Sequence, residues 1–271
     1  MIRDDLTLSR IYAKKDLQEL WFILNSQSMQ KFIIPYINYA PSKGTIIGQD
    51  AKHIFKVLRL NKGAVIGISN GQGKDFSARL LSVSVDRIEL DIIEELTPVT
   101  ESWIDITLCP GMLKDNKMDL VIKHATQLGI TKWIPFFSER SIPRPDAKKM
   151  EKRCERWETI ARESLKQCQR SRLPQICMPL SFEKLLTLPE PSDLKVALWE
   201  KASTKLDTLR GKKAVSRIFI LIGPEGGFSE NEIDQAKIKG FLSCSLGPRI
   251  LRAETASISS CTLIQHIFGD I

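Results

Sequence analysis

Two stretches of this 271-residue chain carry residue types suited to binding chemistry. "IGPEGGFSENE", residues 222–232, sets glycines, a proline and acids directly behind the apolar run Ile218–Ile222. "LGPRILRAETA", residues 246–256, sets Gly247, Arg249, Arg252 and Glu254 behind "FLSCSL". Both read as turns that leave a strand and open a helix. At the carboxyl ends of strands open α/β sheets hold their ligands, and glycine lets backbone come close to one. A single such turn is equally well a tight strand-to-helix connection. Two of them on strands that could be neighbours make a pocket. A third feature concerns charge: from Arg140 to Arg172 eleven Lys and Arg face five Asp and Glu, most of the chain's formal +8. That is the footprint of a polyanion partner, with a solvated helix face as the alternative.

The elements that must position these residues follow from periodicity. Ile218–Ile222 is short, continuous and β-branched, the pattern of a strand covered on both faces of a parallel sheet. Ser229 with Glu232 three residues later fits a capping box, Ile233 opens an apolar stripe, and Gly240 is a stop. From residue 103 onward strands alternate with helices. "WIDITLCP", "ITKWIPFF", "LKVALW" and "FLSCSL" read as strands. Met118, Val121, Ile122, Ala125 and Leu128 recur at helical spacing, as do Cys154, Trp157, Ile160, Ala161, Leu165 and Cys168, and a closing helix spans about Ala253 to Phe268. This grammar predicts a mostly parallel sheet with helices on both faces. Residues 31–96 differ: "GTIIG", "AVIGIS", "DFSARLLSVS" and "RIELDII" are short strands, with Ile88, Leu90 and Ile92 alternating as in a half-buried antiparallel strand, and "NGQG" suits a type I′ turn. They predict a small β-barrel ending near Pro98. Residues 1–28 fit neither pattern, and read as an added helix or as the product of an upstream start, with Met29 the natural one.

Composition narrows the function classes. Hydrophobic residues make up 42% of the chain, ordinary for a soluble globular protein, and the longest apolar runs reach about five residues, too short to span a bilayer. The expectation is a cytoplasmic protein without membrane association. Six cysteines at 109, 154, 168, 177, 244 and 261 lack any C-x-x-C spacing, and three histidines accompany them, which argues against zinc and disulfides and for buried thiols. No G-x-G-x-x-G follows the first strand and no G-K-[ST] occurs, which weighs against a dinucleotide-dependent oxidoreductase and an NTPase.

"IGPEGGFSENE" with "LGPRILRAETA" resembles the signature of the RsmE family of bacterial rRNA methyltransferases, within the SPOUT superfamily. The likeness extends through "HIFKVLRL" and "NGQG", "KMDLVIKHATQLGITKWIPFFSERS" and "RWETIARESLKQCQRSRLP", from about Met29 to the end. It implies a PUA-like RNA-binding barrel at 29–98, after the extension at 1–28, and a SPOUT methyltransferase domain with a deep trefoil knot at 99–271. It further implies a homodimer, S-adenosylmethionine as methyl donor, no metal, and methylation of N3 of a uridine in 16S rRNA of the small ribosomal subunit.

By the same resemblance the donor is held by Ile222, Gly223, Pro224, Glu225 and Gly226 of one turn, by Leu246, Gly247, Ile250, Leu251 and Arg252 of the other, and by Leu198 and Glu200 of a third wall. Leu198, Leu246, Ile250 and Leu251 suit an adenine slot, and Glu225 or Glu254 the positive sulfonium, with local backbone capping as the other role for Glu225. Neutral uridine N3 is a poor nucleophile because it carries a proton. Arg252 is therefore the candidate for stabilising charge on the uracil oxygens and Glu254 for the base, a helix N-terminal acid being its alternative role. Arg140, Gln167, Arg170 and Arg172 match polar positions expected to hold phosphates or the target base. In the barrel, Arg59, and His53 less so, are candidates for RNA contact. Lys166 stands where the family pattern has an acid, so no acid/base role carries over there. A non-catalytic rRNA-binding or ribosome-assembly protein is the alternative; it accounts for the charge and leaves both turns idle.

Overall fold

The computed structural model describes residues 31–34, 37–38, 42–97, 100–211 and 215–271; the expected extension at 1–28 lies outside them. The chain divides between Pro98 and Val99 into two compact units.

The first unit contains β1 (Lys31–Ile33), β2 (Ile37–Asn38), β3 (Lys43–Ile47), α1 (Gly48–Lys52), a π-helical turn (His53–Leu58), β4 (Val65–Ser69), β5 (Asp75–Val83) and β6 (Arg87–Leu96). They form one six-stranded sheet, in the order β1-β4-β5-β6-β3-β2, antiparallel except between β1 and β4. Ile88 and Leu90 are fully buried beside Ile66, Ile68, Phe76 and Leu80, with Ile92 at the margin of this core. "NGQG" is not a two-residue type I′ turn. It belongs to the five-residue connection 70–74, in which the Asn70 Oδ1 accepts from the amides of Gln72 at 2.8 Å and Lys74 at 3.1 Å. The side chain here substitutes for a strand-to-strand bond.

The second unit runs β7 (Asp105–Pro110), α2 (Lys117–Gln127), β8 (Ile130–Trp133), β9 (Phe136–Phe137), α3 (Ala147–Cys168), β10 (Gln175–Ile176), β11 (Leu180–Ser181), α4 (Phe182–Leu185), β12 (Leu194–Leu198), a 3-10 turn (Leu206–Leu209), β13 (Arg217–Ile222), α5 (Glu230–Ile238), β14 (Leu242–Cys244) and α6 (Ala253–Phe268). Its main sheet has the order β10-β8-β7-β13-β12-β14, and every adjacent pair is parallel. The run predicted as one strand, "ITKWIPFF", breaks at Ile134–Pro135. Proline has no N–H to give a ladder, and β9 pairs instead with β11 in a separate ribbon.

Strand β13 shows why its sequence is apolar throughout. Ile218, Ile220 and Ile222 face a core shared with Met118, Val121 and Ile122 of α2, Trp157 and Ala161 of α3 and Cys261 and Ile264 of α6. Phe219 and Leu221 face the opposite core, with Phe182 of α4 and Ile233 and Ala236 of α5. Burying each of these large side chains contributes about 1.5–3 kcal/mol of transfer free energy. Aromatic contacts fix both layers: Trp133 meets Trp157 edge-on at 5.9 Å, and Phe136 stacks on Phe228 at 6.1 Å. Of the six thiols, Cys109, Cys244 and Cys261 are buried as expected, while Cys154, Cys168 and Cys177 are half-buried. Burial pushes Cys154 up to about 11 and Cys261 to about 12, so neither is a thiolate at neutral pH.

Candidate active site

The two glycine turns flank one strand. β12 lies between β13 and β14, and Leu198 is in register with Ile222 on one side and Cys244 on the other. The strands leading into the turns are thus not direct neighbours; β12 separates them and supplies the third wall, Leu198 to Glu200.

The first turn starts where β13 ends and stops at the capping box of α5. Ser229 Oγ accepts from the Glu232 amide, and Glu232 Oε2 accepts from the Ser229 amide at 2.9 Å. Between them the backbone doubles back closely. A Cβ on Gly223 would sit 3.1 Å from Gly227 C and Phe228 N, and one on Gly226 would sit 3.1 Å from the Arg140 Cβ. In the second turn Gly247 has φ 115° with open space around it, so conformation and not room selects glycine there.

Together these segments enclose a cleft of about 480 Å³ at the carboxyl ends of β12 and β13. All twelve residues expected at a donor site line it: Leu198, Glu200, Ile222, Gly223, Pro224, Glu225, Gly226, Leu246, Gly247, Ile250, Leu251 and Arg252. Gly227 and Arg249, which fall inside the two expected turns, line it as well, as do Lys117, Trp199, Phe228, Ala253 and Ala256, which were not foreseen. Ile250 is 85% exposed at the rim. Lys201 and Lys237 stand over the Trp199 ring at 5.7 and 5.9 Å.

The acids divide by partner. Glu225 Oε1 accepts from the Lys114 amide at 3.1 Å and from Lys117 Nζ at 3.0 Å. Burial alone would raise its carboxyl, but these two bonds outweigh it and hold the group below the usual range. The same bond raises Lys117. Glu225 thus caps backbone, though that of Lys114, distant in sequence, and not that of its own turn. Glu254, in the first turn of α6, lies outside the cleft lining; its Oε2 is buried without a hydrogen bond, 4.0 Å from Lys117 Nζ. That favours its reading as a helix N-terminal acid over a general base at the cleft. Glu200 lines the cleft, lies against Gly227 and makes no ion pair among the described residues. Arg252 is the exposed N-cap residue of α6.

The residues expected to hold RNA differ in how far they are engaged within the protein. Arg140 Nη1 donates to the carbonyls of Gly226 at 2.9 Å and Phe228 at 3.3 Å, and so braces the first glycine turn. Arg170 is 2% exposed and bonded to Glu101, Thr126 O and Ile130 O, which corrects its expected role: a buried, fully engaged guanidinium cannot reach a phosphate. Arg172 pairs with Asp105 at 2.7 Å, at the amino end of β7 and hence at the opposite end of the sheet from the cleft. Gln167 is exposed in the last turn of α3. Arg59 and His53 are exposed in the first unit, and Lys166 pairs with Glu163.

A parallel α/β unit with its cleft between two such turns matches an RNA methyltransferase domain over residues 100–265, and residues 46–93 match an RNA methyltransferase PUA domain. The class is therefore that of the RNA methyltransferases. More narrowly, the chain belongs to the family of ribosomal RNA small subunit methyltransferase E. It is 32% identical over 248 residues to that protein of Bacillus subtilis, covering 88% of this chain and 96% of the relative. Its fold is similar to the crystal structure of ribosomal RNA small subunit methyltransferase E from Neisseria gonorrhoeae bound to S-adenosyl methionine (TM-score 0.79, 29% identity, covering 90% and 99% of the two chains). It is also similar to a putative methyltransferase from Legionella pneumophila in complex with the same cofactor (TM-score 0.77, 28% identity, 90% and 99% covered).

Proposed function

We propose that this protein transfers a methyl group from S-adenosylmethionine to N3 of a specific uridine in 16S rRNA of the small ribosomal subunit. The observation that carries this reading is the meeting of all twelve expected donor residues in one cleft. Family membership and two similar structures holding the same cofactor support it.

The cleft residues fit the donor. Leu198, Ile222, Leu246 and Leu251 offer an apolar slot, and the close-packed glycine turn offers backbone where a Cβ would collide. When bound, S-adenosylmethionine supplies an electrophilic methyl group on a positive sulfonium. Glu200, free of ion pairs among the described residues, is the acid suited to face that charge; Glu225 is occupied by Lys117. Arg252 stabilises the charge that builds on the uracil oxygens as N3 loses its proton. Lys117 holds Glu225, and Arg140 holds the carbonyls of Gly226 and Phe228, so the turn enters the reaction already ordered.

The proposal includes a homodimer acting in the cytoplasm and a trefoil-knotted second unit. Leu120 on α2 and Leu263 on α6, two helices that pack against each other, are 44% and 37% exposed and support an association surface. No described helix is long and apolar enough to cross a membrane. A non-catalytic rRNA-binding role leaves the cleft unused. Purified protein is incubated with S-adenosylmethionine and small subunits lacking the modification, and the digested rRNA is read for 3-methyluridine by mass spectrometry. The nucleoside appears with the wild type and not with Arg252→Ala; its absence with donor binding intact overturns the reading.

A further inference from the structure

The first unit carries a short irregular segment that neither the sheet nor the core requires to be so polar outside and so apolar at its tip. α1 passes directly into the π-helical turn His53–Leu58, which ends at Arg59 in the left-handed region, φ 51°. Single π turns concentrate at functional sites, and a left-handed residue other than Gly, Asn or Asp is uncommon. Ile54 is fully buried and Leu58 packs against the core, while the Leu60 amide bonds the Ile54 carbonyl at 3.2 Å. These anchors turn the remaining side chains outward. Phe55 is 41% exposed and Val57 68% exposed.

Cations surround this apolar tip. Lys52, Lys56, Arg59 and Lys62 are exposed, and no Asp or Glu occurs between Asp50 and Asp75. Lys52 has Asp86 at 3.9 Å, but among the described residues Lys56 and Arg59 make no ion pair. An exposed aromatic ring beside unpaired cations on a rigid turn is the arrangement that binds unpaired nucleotides: the ring stacks a base and the cations hold the flanking phosphates.

We propose that Phe55 is a base-stacking platform for single-stranded RNA, with Lys56 and Arg59 on the phosphates either side. The proposal rests on the reading of this protein as an rRNA methyltransferase and adds how its first unit engages the strand. Base-on-aromatic stacking is worth about 1–3 kcal/mol, so Phe55 governs affinity for unpaired RNA and contributes little to duplex. Lys56 and Arg59 contribute through counterion release and act on both.

The test uses the full-length protein and two probes, an unstructured oligoribonucleotide of about 20 nucleotides and an RNA duplex of similar length. Expected for Phe55→Ala is a loss of roughly five- to a hundredfold in single-strand affinity, with the duplex unaffected and the salt slope unchanged. Phe55→Trp keeps the affinity, and its added indole fluorescence is quenched on binding. Lys56→Ala and Arg59→Ala each make the salt slope shallower by about one. Thermal unfolding and S-adenosylmethionine binding stay at wild-type values in Phe55→Ala, so a folding defect is recognised. Equal single-strand binding by wild type and Phe55→Ala, with the wild type still methylating small subunits, overturns the platform alone. A wild type that neither binds RNA nor methylates overturns the platform and the functional reading together.

Discussion

Arg140 lies 86 residues before Gly226, and its Nη1 donates to the Gly226 carbonyl at 2.9 Å and to Phe228 O at 3.3 Å. The Arg140 Cβ also occupies the space that a side chain at position 226 would need. A residue of the basic stretch is thereby part of the first glycine turn. A hydrogen bond from a charged group contributes about 1.5–3 kcal/mol, reduced here because the arginine is exposed. Arg140→Ala is expected to weaken S-adenosylmethionine binding roughly tenfold, read by titration calorimetry, with the salt slope of RNA binding unchanged. A shallower slope with normal donor affinity would return Arg140 to the RNA.

Gly223→Ala is the sharper test of the turn. Its Cβ would press on backbone atoms, which cannot swing aside as a side chain can. Donor binding should be lost while the melting temperature drops by no more than a few degrees, since β13 ends one residue earlier. Retained binding would mean the turn tolerates opening.

Arg170→Ala separates a structural arginine from an RNA contact. Removing the arginine leaves Glu101 held only by the amides of Ser171 and Arg172 and frees two backbone carbonyls, at a cost approaching the roughly 3–5 kcal/mol of a broken buried pair. The expected result is a large loss of thermal stability. Wild-type melting with weakened RNA binding would sink this assignment.

The Lys117–Glu225 pair sets a pH window. Glu225 is depressed, so its contribution is present above about pH 4.3, the unfolded value, and disappears as the pH falls through its lower folded value. Lys117 is raised, so its contribution is present below about pH 10.4 and disappears as the pH rises through its higher folded value. Donor affinity should be flat between those limits. Lys117→Met should weaken it across the whole window, and a titration of binding against pH compares the two proteins.

Much of this was legible in the sequence for one reason: local signals are short-ranged. The apolar run of β13, the capping box at Ser229 and Glu232 and the alternation of Ile88 and Leu90 each lie within a few residues, and each folded as its pattern dictated. The burial of Arg170 and the second partner of Arg140 were not legible, because they rest on backbone carbonyls and a carboxylate 40 to 88 residues away, which leave no periodic trace. Lys117 did leave one. A lysine at the first position of a helix opposes the macrodipole, and such a placement calls for a carboxylate close by. The order of β12 between the two glycine turns is topology, which neither turn encodes.

Glu232 shares its carboxylate between distant segments: one oxygen caps its own helix at Ser229, and the other accepts from the Glu139 amide 93 positions earlier. The beginning of α5 and the 138–141 turn are consequently one cooperative unit. Neither amide can reach solvent unless the same buried side chain lets go. In hydrogen exchange Ser229 and Glu139 would report a single opening event, and the 138–141 turn would soften or stiffen together with the first glycine turn that Arg140 braces.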